Sequence, residues 1–404
     1  MVKKSLVLLL LSIAGFAPLW AQETAVWELV TDYSNLSTSD TYVIAGSGIS
    51  SIGKGTTVCS LKNDQVPTAN YLPIGKTIAT YANQNVYTFD DIIINTFDAD
   101  DTWTLEKVSG NSGIYYIKST RGSLYLQYGE GSKSKITSKP TSTSNDGYRQ
   151  WKIHLEGTNS SGEKVTGLYN VKAERMLALE YTSSATNWRA QTSSYYGDFM
   201  GAEVVLYRKV TSVPVSVSAV KYASFCSSCP LDFTGTGITA YKAKSDGSKV
   251  VLTAIADGIV PAKTGVVLCS PEAITFNVPV TAATGSTDWT DNELVGITER
   301  TSVSVDGADG KTNYIFAKES SGIGFYLAAA NGAYLGANRA YLSTATTATA
   351  PYLGFDDDET TDIDLTTVSG QRVTDNAYYD LSGRRVVQPT RGLYIVNGKK
   401  VVIK

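Results

Sequence analysis

Short alternating apolar runs, each closed by a turn, cover most of this chain. Between Trp27 and Lys209 they repeat. Asp40-Thr-Tyr-Val-Ile-Ala45, Gly113-Ile-Tyr-Tyr-Ile-Lys118 and Gly167-Leu-Tyr-Asn-Val-Lys172 each set a Tyr two residues before a β-branched residue. That spacing places both side chains on one face of a strand. A second run ends each unit: Trp103-Thr-Leu-Glu106, Trp151-Lys-Ile-His154 and Val204-Val-Leu-Tyr-Arg208. Middle strands are predicted at Ser123–Tyr128 and Arg175–Tyr181, and Ser47 to Asp91 reads as an insertion in the first unit. After Val210 the cadence changes. Pro214 to Tyr222 reads as a linker entering a strand, and runs such as Lys249–Ile255, Thr264–Cys269, Thr312–Ala317 and Gly324–Ala329 follow at the spacing of an antiparallel all-β domain.

Three units of several short strands predict a repeat architecture, and the front region resembles the ricin-type lectin branch of the β-trefoils. The Tyr-x-Ile/Val openings and the Trp-x-Leu/Ile closings carry the resemblance. Arg149-Gln150-Trp151 approximates that family's Gln-x-Trp, Asp101-Thr102-Trp103 departs further, and the third unit closes without a tryptophan. Trp27-Glu-Leu-Val30 is expected as a strand closing the barrel, and an ordinary β-sandwich is the competing architecture. The block from Ala223 to Leu342 resembles a module of Bacteroidetes surface proteins through Leu231-Asp-Phe233, Ile238-Thr-Ala-Tyr241 and Pro261-Ala-Lys-Thr-Gly-Val266. The end of the chain resembles a type IX secretion sorting domain, through Tyr379-Asp-Leu-Ser-Gly-Arg-Arg-Val386, Gly392–Val396 and the basic Lys399–Lys404. The expected fold class is therefore all-β. It comprises a trefoil-like domain at 22–210, an antiparallel sandwich or barrel-like domain at 211–355, and a short C-terminal β segment at 356–404.

Residues 1–21 carry Lys3 and Lys4, an apolar run from Leu6 to Leu11, and Ala21 before Gln22, the order of a secretory signal peptide. Without them the chain keeps 33 basic and 38 acidic residues, a net charge of −5. That balance offers no general attraction to nucleic acid. No further apolar stretch is long enough to span a bilayer. The expected location is extracellular or on the cell surface. The expected partners are a glycan or other surface ligand, and the secretion machinery through the C-terminus.

No catalytic constellation, metal-ligand spacing or cofactor fingerprint stands out. His154 is the sole histidine, so histidine triads and zinc-protease motifs cannot be assembled. Cys226-Ser-Ser-Cys229 precedes Pro230 and a turn-forming stretch, not the helix that lowers a redox thiol's pKa. The expectation is a structural disulfide among Cys226, Cys229 and Cys269. Trp103 and Trp151 read as barrel core. Tyr128, Tyr181, Trp188, Tyr195 and Tyr196 lie in turn-rich segments as candidates for a sugar-stacking platform, with Asn187 and Asp198 to accept hydroxyls. The function expected is non-catalytic binding of an extracellular ligand. A structural or adhesive role and a carboxylate-based hydrolase are the alternatives.

Overall fold

A computed structural model describes residues 24–355, apart from 35, 50–55, 64–70, 83–87, 123, 130–135, 141–145, 159–161, 163, 182–185, 193–202 and 346–349, together with four short strands between 378 and 403. The signal-peptide segment and the acidic run 356–359 lie outside the described residues. The described chain is all-β across several sheets, with only short 3-10 turns besides.

In the front block, β1 is Ala25–Leu29, β2 Tyr42–Ile49, β3 Thr56–Leu61, β4 Ile74–Tyr81, β5 Ile92–Asn95, β6 Thr102–Lys107 and β7 Ile114–Ser119. Then come β8 Leu124–Tyr128, β9 Ile136–Pro140, β10 Gln150–Thr158, β11 Lys164–Asn170, β12 Arg175–Tyr181, β13 Thr186–Gln191 and β14 Val204–Val210. Pairing repeats three times. Each unit opens with a run of three strands, β2-β3-β4, β7-β8-β9 and β11-β12-β13. Closing strand β6 pairs with β2 and β7, β10 with β7 and β11, and β14 with β2. The remaining seam, between β11 and β14, has no described ladder and is crossed by the single bridge from Thr166 to Glu203. The pairing is trefoil-like without a ladder completing that seam.

Two expectations change here. The stretch from Ser47 to Asp91 is no insertion in its first part, for it supplies β3 and β4, the strands the other two units also have. Nor does the strand containing Trp27 close a barrel. β1 lies outside, between β14 and β5, and Trp27 packs edge-on against Phe97 at 5.2 Å in a small second core.

Apolar alternation builds the main front core from Ile44, Trp103, Leu105, Ile117, Trp151, Leu177, Leu179, Trp188 and Leu206. Trp103 and Trp151 occupy equivalent places in β6 and β10. Trp103 donates its indole N–H to the Leu61 carbonyl at 3.2 Å, and Trp151 donates to Leu126 at 2.9 Å. Val204 stands at the matching place of β14, too small to fill it. Trp188 reaches in from β13 instead and donates to the Ser60 carbonyl at 3.1 Å. Gly46 on β2 makes the room: a Cβ there would sit 2.7 Å from the end of the Trp188 ring.

The rear block begins almost at once. β15 is Ser212–Val217, β16 Tyr222–Phe225, β17 Leu231–Asp232, β18 Thr239–Ser245, β19 Val250–Ala254, β20 Ile259–Val260, β21 Val266–Cys269 and β22 Ile274–Pro279. They are followed by β23 Leu294–Ile297, β24 Thr301–Val303, β25 Thr312–Glu319, β26 Gly322–Leu327, β27 Ala333–Leu335, β28 Arg339–Thr344 and β29 Tyr352–Gly354. The stretch from Pro214, expected as a linker, is therefore already a strand. Proline is tolerated because β15 pairs on one side only, with β22.

The four-stranded sheet β16-β21-β18-β19 is the middle layer. Val266 and Leu268 face a core shared with β15, β17, β20 and β22. Val267, on the other face, joins Tyr314, Phe325 and Leu342 of the sheet β23-β28-β25-β26-β29. Both faces of this antiparallel sheet are covered, so β21 reads as an unbroken apolar run.

Asp257 holds the segment leading to β23. Its carboxylate accepts hydrogen bonds from the Ser286 amide and hydroxyl, the Thr287 hydroxyl and the Ile259 amide. Burial raises its pKa, but these donors outweigh that and bring it to about 2. A depressed carboxylate pKa contributes stability above its ordinary range, and the contribution fades as pH falls through about 4 toward 2. Asp257→Ala should therefore open 281–289, speeding chymotryptic cleavage after the half-buried Trp289 several-fold at neutral pH. In the wild type, hydrogen-exchange protection at Ser286 should decline over the same acid window. Unchanged cleavage in the variant would show that the loop is held by other contacts.

The four C-terminal strands, β30 Tyr378–Tyr379, β31 Arg385–Val386, β32 Gly392–Val396 and β33 Lys399–Ile403, form one antiparallel sheet.

Candidate binding cleft

Of the residues expected to form a sugar platform on the front block, Tyr128, Asn187 and Trp188 have described side chains. Trp188 has no exposed surface and Tyr128 is 6% exposed. Both belong to the core: β8 is paired on both sides, by β7 and β9, and Trp188 on the end strand β13 turns its ring inward, its backbone bridged to Leu72. Asn187 is half-buried and accepts from the Arg189 guanidinium at 3.0 Å, which ties it to its own strand. Tyr181 lies on β12, with its side chain outside the described residues, as are Tyr195, Tyr196 and Asp198.

Neither Cys226 nor Cys229 is joined in a disulfide in this structure, and the pairing expected among Cys226, Cys229 and Cys269 stays an expectation. Cys226 points its sulfur at the backbone of Gly296, where a Cβ would come within 2.5 Å of it. Burial raises the pKa of Cys226 and of Cys229 to about 11, the reverse of what an attacking thiolate needs.

His154 sits at a bulge in β10 between Lys152 and Leu155, with φ of 55°. Its ring stacks on Tyr33 with centroids 4.1 Å apart. Its Nδ1 is buried with no hydrogen-bond partner among the described residues. Glu203, on the open seam, has its pKa raised by burial, and His154 opposes that rise. The two rings and the Glu203 carboxyl meet at this corner. Among the described residues, no three His, Cys, Asp or Glu side chains gather closely enough to hold a metal ion. No helix there is long and apolar enough to cross a membrane.

The rear block carries a cleft of about 750 Å³. One wall is the end of β15 and the start of β22, where the Ser216 and Thr275 hydroxyls meet at 2.9 Å. Tyr222 of β16 and Phe316 of β25 line its base, and both rings pack on Phe355, with centroids at 5.1 and 6.2 Å. The opposite wall holds Lys318, Tyr334 and Arg339. Tyr334, on the short strand β27 among small residues, is 68% exposed, and the Arg300 guanidinium lies 4.2 Å from its ring centroid. Arg339 is anchored by donating to the Ser224 carbonyl at 3.3 Å. No carboxylate lines the cleft.

Sequence reasoning missed this place because its residues come from six strands spread between 216 and 339. The readable signal was Tyr334 alone, a large ring in the run Gly332-Ala-Tyr-Leu-Gly336, with no apolar partner at strand spacing.

No protein-family model matches the chain, and no curated protein does. Among solved structures it is partly similar to the designed three-fold symmetric protein ThreeFoil, with 15% identity and a TM-score of 0.24, over 41% of this chain and 97% of that one. A BEL β-trefoil is similar over 44% of this chain and 99% of its own, with 12% identity and a TM-score of 0.26. The Haemophilus ducreyi cytolethal distending toxin is similar over 45% of this chain and 86% of its own, with 11% identity and a TM-score of 0.25. The likeness to β-trefoil folds is weak and partial.

Proposed function

We propose that this is an exported, non-catalytic binding protein in which the front block is scaffold and the rear cleft takes a glycan. The observation that carries the reading is Tyr334, 68% exposed on the wall of a cleft of about 750 Å³. A cleft of this size is in the range that small-ligand sites occupy. An exposed phenol stiffened by a stacked guanidinium offers a flat apolar face and a polar tip, which suits a sugar ring. The Ser216 and Thr275 hydroxyls opposite it both donate and accept, as a ligand rich in hydroxyls requires. Raised thiol pKa values leave Cys226 and Cys229 unactivated, and burial takes Trp188 and Tyr128 out of contact with any ligand of the front block. Export rests on the charged-apolar-small order of residues 1–21, and surface delivery on the sorting-domain resemblance at the C-terminus.

Affinity electrophoresis of the full chain through gels containing soluble polysaccharides tests the reading, with polygalacturonate, galactan, dextran and dextran sulfate as probes. At least one should retard the protein. Tyr334→Ala should weaken that binding about tenfold, equivalent to about 1.4 kcal/mol, without shifting thermal unfolding. Lack of retardation in every gel, or an unaffected Tyr334→Ala variant, would refute the cleft as a glycan site.

A further inference from the structure

Taking that reading as its basis, we infer that the glycan is acidic: the cleft selects sugar units carrying carboxylate or sulfate groups. The charge pattern is the argument. Lys318 and Arg339 line one wall, Arg300 stacks behind Tyr334 on the same side, and no Asp or Glu lines the cleft. None of these three cations is ion-paired to a described carboxylate. Two acids stand next in sequence to lining residues, Glu319 beside Lys318 and Glu272 beside Ala273, and neither lines the cleft.

This arrangement stands out against the chain as a whole, which is net negative. A general field would repel an anion, so attraction has to come from a local site. The walls differ in kind as well. Hydroxyls stand on the β15–β22 side and cations on the β25–β28 side, so a sugar seated between them meets hydroxyl partners on one flank and charge on the other. Arg339 is suited to the task. One guanidinium N–H is held by the Ser224 carbonyl, which fixes the planar group and leaves donors for a carboxylate or sulfate oxygen. Lys318, exposed and unpaired, supplies a second charge with freer reach.

The test uses the full-length protein and oligogalacturonides of four to six units, beside the same oligosaccharides fully methyl-esterified. The backbone is identical and only the charge is removed. Calorimetry should show the acid form binding at least tenfold tighter at 50 mM salt, with the gap narrowing at 500 mM as screening grows. The double variant Lys318→Gln/Arg339→Gln should lose the preference, binding the acid and the methyl ester with equal strength. Dextran sulfate against dextran forms the second arm. A preference there without one for oligogalacturonide assigns the anionic group to sulfate and supports the inference.

Equal binding of charged and uncharged partners in both arms overturns acidic selectivity while leaving the glycan site in place. A preference that survives in the double variant also overturns it, because the charge would be read elsewhere. Absence of binding in every arm, with Tyr334→Ala matching wild type, overturns both the selectivity and the glycan reading. Single-stranded oligothymidylate binding at the strength of the acid oligosaccharides would overturn the ligand class.

Discussion

Trp188→Ala should destabilise the front block by about 3–5 kcal/mol, the range for emptying a tryptophan site in a packed core. The size follows from three observations on one side chain. Trp188 is wholly buried, it fills the place where Val204 falls short of Trp103 and Trp151, and its N–H satisfies the Ser60 carbonyl. Truncation removes the ring and leaves that carbonyl unpaired. Gly46 has no side chain to offer, so the surroundings cannot close the hole from β2. Trp188→Phe should restore most of the packing without the donor and cost about 1–3 kcal/mol, the penalty of an unsatisfied buried group. Urea unfolding followed by far-UV circular dichroism would measure both. A loss under about 1 kcal/mol for Trp188→Ala, within the range of ordinary surface changes, would return Trp188 to the surface role that its turn-rich neighbourhood first suggested.

Val267→Asp should abolish folding of the rear block at neutral pH. Val267 has no exposed surface and lies on the middle sheet against Tyr314, Phe325 and Leu342, with no cation among the residues of that core. An unpaired carboxylate placed there carries a desolvation cost of several kcal/mol, comparable with the whole stability of a domain. The edge strand β19 of the same sheet provides the control. Val251 is 46% exposed on β19, and Val251→Asp should change stability by no more than about 0.5 kcal/mol. Thermal unfolding of both variants, with solubility of the expressed protein, separates them. A cooperative rear-block transition in Val267→Asp would show that the two outer layers do not depend on the middle one.

The sequence made the all-β class readable because Tyr and β-branched residues alternate at strand spacing, and it made the threefold rhythm readable because Tyr42, Tyr115 and Tyr169 fall on the first strands of the three units, β2, β7 and β11. β3 and β4 were hidden, since the middle strands of each unit share no motif and only their pairing identifies them. Trp188 was misplaced for a physical reason. Nearby turn-forming residues say nothing about which face of β13 a side chain takes, whereas the undersized Val204 in a repeat of tryptophans was a readable hint that another ring must fill the space. Pro214 marked an unpaired strand side and was mistaken for a linker. The cleft was beyond reach of any local pattern. It exists only because β16, in the middle layer, sits between strands of the two outer ones.

Only Thr211 separates β14 from β15, and its carbonyl accepts the Val280 amide at 3.0 Å from beyond β22. A tether between the blocks is thus replaced by one pinned peptide. Mechanically, this is a load path. Tension applied at Ser216 and Thr275 enters β15 and β22, which share six paired positions, and leaves through Thr211 into β14. There it is spread over the ladders with β1 and β2. Pulling along paired strands shears many hydrogen bonds together instead of unzipping them singly, so on the proposed reading the front block would serve as an anchor for a ligand held in the cleft.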